Sequence, residues 1–176
     1  MWLTVAGKSH DETRELRSLF EKQLKELYWA EHKMQYFLPD IAENIFSRDL
    51  AEVLKHQGLQ AKHHFERLEQ IFTAIGIQPE KCKYEALYCL VNEVEGFIES
   101  TKTGVVRDAA IIAVLQKIKH YEIACYGTIR AYAIALREED VVTLLNSSLT
   151  EEKEADLKLS EVAESHINIE AADKEI

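Results

Sequence analysis

Residues 77–103, IQPEKCKYEALYCLVNEVEGFIESTKT, are the long connection that divides this chain into two helical halves. Pro79 breaks any helix near its start, and a shorter helix is expected around Tyr84 to Ser100. Upstream lies the second long helix. Ser47 can cap it, Leu50, Leu54, Ala61, Leu68, Phe72 and Ile75 form its stripe, and Gly76 stops it. Gly58 sits in its middle, where glycine costs about 1 kcal/mol against alanine, so close packing is the expected reason for it. The first long helix precedes it, from Asp11 to Ile45. Its apolar residues Phe20, Leu24, Leu27, Met34, Leu38, Ile41 and Ile45 recur at steps of three and four. Ser9 and Glu12 have capping-box spacing. Pro39 should bend this helix more than end it, because the stripe continues past it. Downstream of the connection, a third long helix runs from Val105 to Leu136. Arg137-Glu138-Glu139-Asp140 leaves room only for a tight turn. A fourth follows, with Val141, Leu145, Ala155, Leu159 and Val162 on one stripe.

Connection lengths turn these elements into an architecture. Short links make two antiparallel hairpins, and a helix of roughly 28 residues is about 42 Å long. The 77–103 segment is long enough to travel back along such a helix. Two hairpins joined by one long crossover define an all-α, ferritin-like four-helix bundle, here with a short extra helix in the crossover. Residues 1–10 read as an N-terminal extension, 11–166 as the bundle and 167–176 as a polar tail whose end, NIEAADKEI, is expected to fray.

Composition narrows the function classes. With 176 residues, 47% apolar and 30% charged, the chain suits one globular domain. Six glycines and two prolines favour long helices over a many-turned β-fold. A net charge of −10 argues against a nucleic-acid partner. No apolar run approaches the roughly 18 residues of a membrane span, and the first residues lack the pattern of a signal peptide. Cys82, Cys89 and Cys125 form no CxxC motif and read as reduced thiols, which fits a cytoplasmic protein. No phosphate loop, nucleophile elbow or dinucleotide fingerprint is present.

The function-bearing residues are those that interrupt the stripes. Glu31 falls between Leu27 and Met34, and Glu152 between Leu145 and Ala155. Gln57 and His64 lie on the stripe of the second helix, with Gln60 at its edge, while Lys119, His120 and Glu122 cluster in the third. Inward Glu and His at mid-height can build two-metal carboxylate centres, diagnosed by a Glu from each of two helices and Glu-x-x-His from each of the others. That full pattern is absent. A buried ion pair therefore stands beside the metal site as an explanation for Glu31 and Glu152. His63 and His64, about 100° apart on a helix, cannot easily share one ion, so His63 is expected to face solvent and His64 the edge of the core. Tyr121, Tyr126 and Tyr132 read first as packing residues, and Cys125 as a small buried hydrophobe.

Four stretches carry a resemblance: LYWAEHKM at 27–34, ERLEQIF at 66–72, VRDAAIIAVLQKIKHYEIACYGTIRA at 106–131 and LTEEKEADLKL at 149–159. They resemble the YciF/YciE-type bacterial stress-response family of the ferritin-like superfamily. The resemblance implies a stress-associated, cytoplasmic homodimer with acidic site positions at Glu31, Glu122 and Glu152. It also exposes departures. Gln57 and Gln60 stand where members usually have His and Glu, and Lys119 stands where a Glu is usual one turn before Glu122. Two readings follow. One is a structural or interaction protein without a cofactor, its metal centre degenerate. The other is a di-iron or di-manganese carboxylate protein with oxidase or peroxide-handling activity, using Glu31, Glu122, Glu152, His64 and His120. In the first, Lys119 reaches toward one or more of Glu31, Glu122 and Glu152 and supplies the missing cation. Its alternative is to snorkel to solvent. Tyr28, Trp29, Tyr36 and Phe65, off the main stripes, are the surplus aromatic surface that a homodimer would bury.

Overall fold

The computed structural model describes residues 15–173, and every regular element among them is helical. Helix α1 spans Leu16–Ala42, α2 Arg48–Ala74, α3 Glu85–Ser100, α4 Val105–Ala135 and α5 Glu139–Val162. A π-helical turn, Ala163–Ile167, leads into α6, Asn168–Asp173. The Ser9–Glu12 capping box lies outside the described residues. The apolar stripes read from the sequence are buried, from Phe20 to Ile41 on α1 and from Leu50 to Phe72 on α2. Each of α1 and α5 packs along both α2 and α4. The long helices thus close a ring in the order α1, α2, α5, α4 around one core. This is the ferritin-like bundle expected from the connection lengths.

The crossover runs beside α1 before α3 begins. The Cys82 amide donates to the Lys25 carbonyl at 3.3 Å, and the Lys25 ammonium meets Glu80 at 2.6 Å. Helix α3 packs on α4 and buries Leu87, Val91 and Val94, spaced as one helical face.

Helix ends follow local chemistry. The Ser47 hydroxyl accepts from the Leu50 amide and caps α2. At the far end Gly76 has φ +74°, and the Ile77 amide closes back on the Phe72 carbonyl at 3.1 Å, a Schellman motif. Helix α4 ends the same way, but with Arg137 at φ +58°. Helix α1 continues through Pro39, as the stripe required. The Pro39 ring is seated on Gly58: a Cβ there would come within 2.6 Å of Pro39 Cγ. Gly58 is therefore the groove into which the proline of α1 fits.

The VRDAA segment also has a structural task. The Asp108 carboxylate, fully buried, accepts from the Phe46 and Ser47 amides at 3.1 and 2.7 Å. Arg107 donates to the Asn44 carbonyl at 2.5 Å and to Thr103 Oγ1 at 2.9 Å. Together they clamp the α1–α2 link to the start of α4.

Two expectations are corrected. The tail does not fray at Asn168. It remains helical to Asp173, because the π-helical turn rotates the chain enough to bury Ile167 against the bundle. Tyr28 and Phe65 are not surplus surface either. Their rings stack 4.4 Å apart between α1 and α2, and the Tyr28 hydroxyl donates to Glu69 at 2.9 Å.

Candidate functional site

Helical spacing brings the polar residues to one height. On α4, Lys119, Glu122 and Tyr126 are three and four residues apart and share a face; on α2, His64 and Arg67 do the same. Glu31 enters from α1 and the neighbours Glu151 and Glu152 from α5. Glu31, His64, Lys119, Glu122, Tyr126 and Glu152 are each at most 2% exposed. Burying so many ionisable groups is costly unless each meets a partner of opposite charge.

The partners are present. The Lys119 ammonium donates to Glu122 Oε2 and to Glu152 Oε2, both at 2.8 Å. His64 Nδ1 lies 3.0 Å from Glu152 Oε1 and 3.2 Å from Glu31 Oε1. Its Nε2 lies 2.8 Å from Glu151 Oε2. With carboxylates at both ring nitrogens, both carry protons and His64 is an imidazolium. Arg67 closes the outer end with two bonds to Glu151, at 2.8 and 2.7 Å, and one to Ser148 Oγ at 3.2 Å. The Tyr126 hydroxyl donates to Glu31 Oε1 at 2.6 Å, in the range of a charge-assisted bond.

These surroundings set the protonation states. Burial alone would lower the His64 imidazole, but Glu31 and then Glu151 and Glu152 raise it well above its usual value. Burial would raise Glu152, yet Lys119 and His64 hold it down to about 2. Hydrogen bonds from His64 and Arg67 lower Glu151 to about 2. Glu122 goes the other way: burial, and then repulsion from Glu152, raise it well above the carboxylate range despite Lys119. Arg67 is matched to Glu151, while Lys119 stands between Glu122 and Glu152 and His64 between Glu31 and Glu152.

A family model described as a domain of unknown function, DUF892, matches residues 15–172. The chain belongs to the DUF892 family. Protein YciF of Escherichia coli K12 is 34% identical over 161 residues, covering 90% of this chain and 96% of that protein. The crystal structure of YciF, described as an E. coli stress protein, superposes with a TM-score of 0.84 at 31% identity, covering 88% of this chain and 98% of that one. YcfI from Rhodopseudomonas palustris, assigned provisionally as a structural protein, superposes with a TM-score of 0.83 at 33% identity, covering 87% and 98%.

The ferritin-like fold implies a two-metal carboxylate centre at this height, and the residues of this DUF892 chain do not fit one. The Lys119 ammonium already bridges Glu122 and Glu152, where a second cation would sit. Both His64 nitrogens are engaged by carboxylates. Glu31, His64 and Glu152 do place one donor atom each within 4.8 Å of one another, enough for a single ion only if His64 gives up a proton that its neighbours hold.

Of the residues singled out from the sequence, Glu31, His64, Lys119, Glu122 and Glu152 converge. The others do not. His120 is 69% exposed at its side chain and lies 3.6 Å from Asp156, away from the centre. Gln57 is buried, but its Nε2 donates to the Ala155 carbonyl at 3.1 Å. Gln60 is half-buried and lines a groove between α2 and α5. His63 faces solvent. Tyr126, read as a packing residue, is a hydrogen-bonding member of the centre. Arg67 and Glu151 were not singled out, although Arg67 stands one turn beyond His64 on the same face.

Proposed function

We propose that this DUF892 protein is a stress-associated structural or interaction protein, a homodimer of the cytoplasm whose ferritin-like centre is held together by protein-borne cations instead of metal. The observation that carries this reading is the Lys119 ammonium, 2% exposed and 2.8 Å from both Glu122 and Glu152. A lysine there supplies the positive charge that buried carboxylates require and leaves no room for a bridging ion. The stress association is supported by the description of the E. coli relative, and the structural role by that of the R. palustris one. No helix among the described residues is long and apolar enough to cross a membrane. For the homodimer, Tyr36 and Leu59 remain 64% and 61% exposed on the outer α1–α2 face.

A second reading, iron or manganese binding with oxidase or peroxide-handling activity, draws on the Glu31–His64–Glu152 donor set. Elemental analysis of the purified protein, followed by titration with Fe²⁺ and Mn²⁺, separates the two. The scaffold reading expects far less than one ion per chain and no change in thermal midpoint on adding either metal. Near-stoichiometric metal that is lost in Glu31→Gln would overturn it and establish the second.

A further inference from the structure

The carboxyl groups of the bundle centre offer more than the side chains around them use. Glu31, Glu122 and Glu152 come from three different helices and are each at most 2% exposed. Glu31, His64 and Glu152 each bring one donor atom within 4.8 Å of the others. Glu31 Oε2 and Glu122 Oε1 are buried and have no hydrogen-bond partner among the described residues. Each carboxylate oxygen accepts about two hydrogen bonds, so acceptor capacity is left over at this height. Buried carboxyl groups with spare oxygens beside an imidazole are the donor set that divalent first-row metal ions take.

One side chain stands in the way. The Lys119 ammonium lies 2.8 Å from Glu122 Oε2 and 2.8 Å from Glu152 Oε2. Burial favours its neutral form, yet attraction to Glu122, Glu152 and Glu31 raises its pKa and keeps it charged. The other cations of the network stand to one side, His64 between Glu31 and Glu152 and Arg67 on Glu151. Among the described residues, only Lys119 makes an ion pair with Glu122. A metal ion and this ammonium would compete for the same oxygens, and their like charges exclude one another.

We propose that Lys119 alone closes this centre to metal: without its ammonium, Glu31, Glu122, Glu152 and His64 hold one divalent first-row ion. The inference rests on the metal-free reading above and goes beyond it, because that reading fits equally a centre that has lost all capacity for metal. Gln57 and Gln60 take no part in the exclusion. Gln57 donates to the Ala155 carbonyl, and Gln60 lines the outer groove between α2 and α5.

Lys119→Met tests it, because methionine is one atom shorter and frees the place of the ammonium while the stem of the side chain stays packed. The full-length wild type and the variant are titrated with Co²⁺, both folded and during refolding from urea, since the centre is buried. Calorimetry counts the ions, and the visible absorption of Co²⁺ reports their ligands. The wild type is expected to bind none at the centre. The variant should bind about one ion per chain, and its thermal midpoint should rise by about 5–10 °C when free Co²⁺ is about a hundredfold above its dissociation constant. Adding Glu152→Gln to Lys119→Met should abolish both effects. If Lys119→Met is too unstable to fold without metal, Lys119→Gln, which keeps a donor for the carboxylates, repeats the test, and Co²⁺ should restore the fold of either. Stoichiometric metal in the wild type overturns the metal-free reading and this inference with it. A wild type and lysine variants that all stay empty overturn this inference alone. So does binding that survives Glu152→Gln, or a failure of Co²⁺ to fold either lysine variant.

Discussion

Lys119 and Glu122 sit three residues apart on α4 and share a hydrogen bond, yet they tolerate substitution very differently. Glu122 is raised well above its ordinary value, chiefly by burial, although Lys119 pulls the other way. Glu122→Gln keeps an acceptor for the Lys119 ammonium and removes the carboxyl that Glu152 repels, so it should alter stability by less than about 1 kcal/mol. Lys119→Met leaves Glu152 without its ammonium and should cost about 3–5 kcal/mol, the penalty of a stranded buried charge. Urea unfolding at pH 7 measures both, and equal losses would show that the centre depends on the Glu122 carboxyl as much as on the Lys119 ammonium. The same groups set the pH response. Glu151 and Glu152 lie at about 2 against an ordinary 4.5, so their contribution is complete above pH 4.5 and disappears as the pH falls toward 2. His64 is raised above 6.5, so its contribution is complete below pH 6.5 and is lost as the pH rises through its elevated value. Glu122 has the same sign as His64, starting from 4.5. Urea midpoints recorded against pH should fall steeply below 4.5. In His64→Gln the decline from neutral into alkaline pH should be shallower than in the wild type.

Between elements, the Pro39–Gly58 contact fixes how α1 and α2 approach. A methyl group at position 58 meets the proline ring at 2.6 and 2.7 Å, a separation that real side chains do not tolerate. Gly58→Ala gains about 1 kcal/mol of helix propensity, but overpacking against a rigid ring costs about 1–3 kcal/mol. The single variant should be destabilised or at best unchanged. Pro39→Ala relieves the clash and restores an amide to α1, so the double variant should be more stable than the sum of the single changes, by about 1 kcal/mol or more. A thermal-denaturation double-mutant cycle with no coupling would mean that the helices simply move apart.

For the whole molecule, the antiparallel register set by Pro39 on Gly58 and Glu31 on His64 puts Tyr36 and Leu59 at one height on the outer face. That exposed pair is where a second copy would rest. Light scattering should give a dimer for the wild type and a monomer for Tyr36→Glu/Leu59→Glu, with helix content unchanged. A dimer that survives the double substitution would move the interface elsewhere.

Much of this protein was legible one segment at a time. Apolar spacing at three and four residues identifies a helix and its buried face, because that face follows from 3.6 residues per turn alone. Connection lengths then restrict the order of packing, and Ser47 and Gly76 mark their helix ends because capping is local chemistry. The same periodicity marked Glu31, His64, Glu122 and Glu152 as inward. It could not say which groups meet across the core. Adjacent residues differ by about 100° in direction, and that rotation sends Glu152 to Lys119 while Glu151 reaches Arg67. It gave no warning that Tyr126 would donate to Glu31, or that Gln60 and His120 would turn away from the centre. Charge partners are chosen over distances of about 3 Å between helices remote in sequence, and only the packed bundle sets those distances.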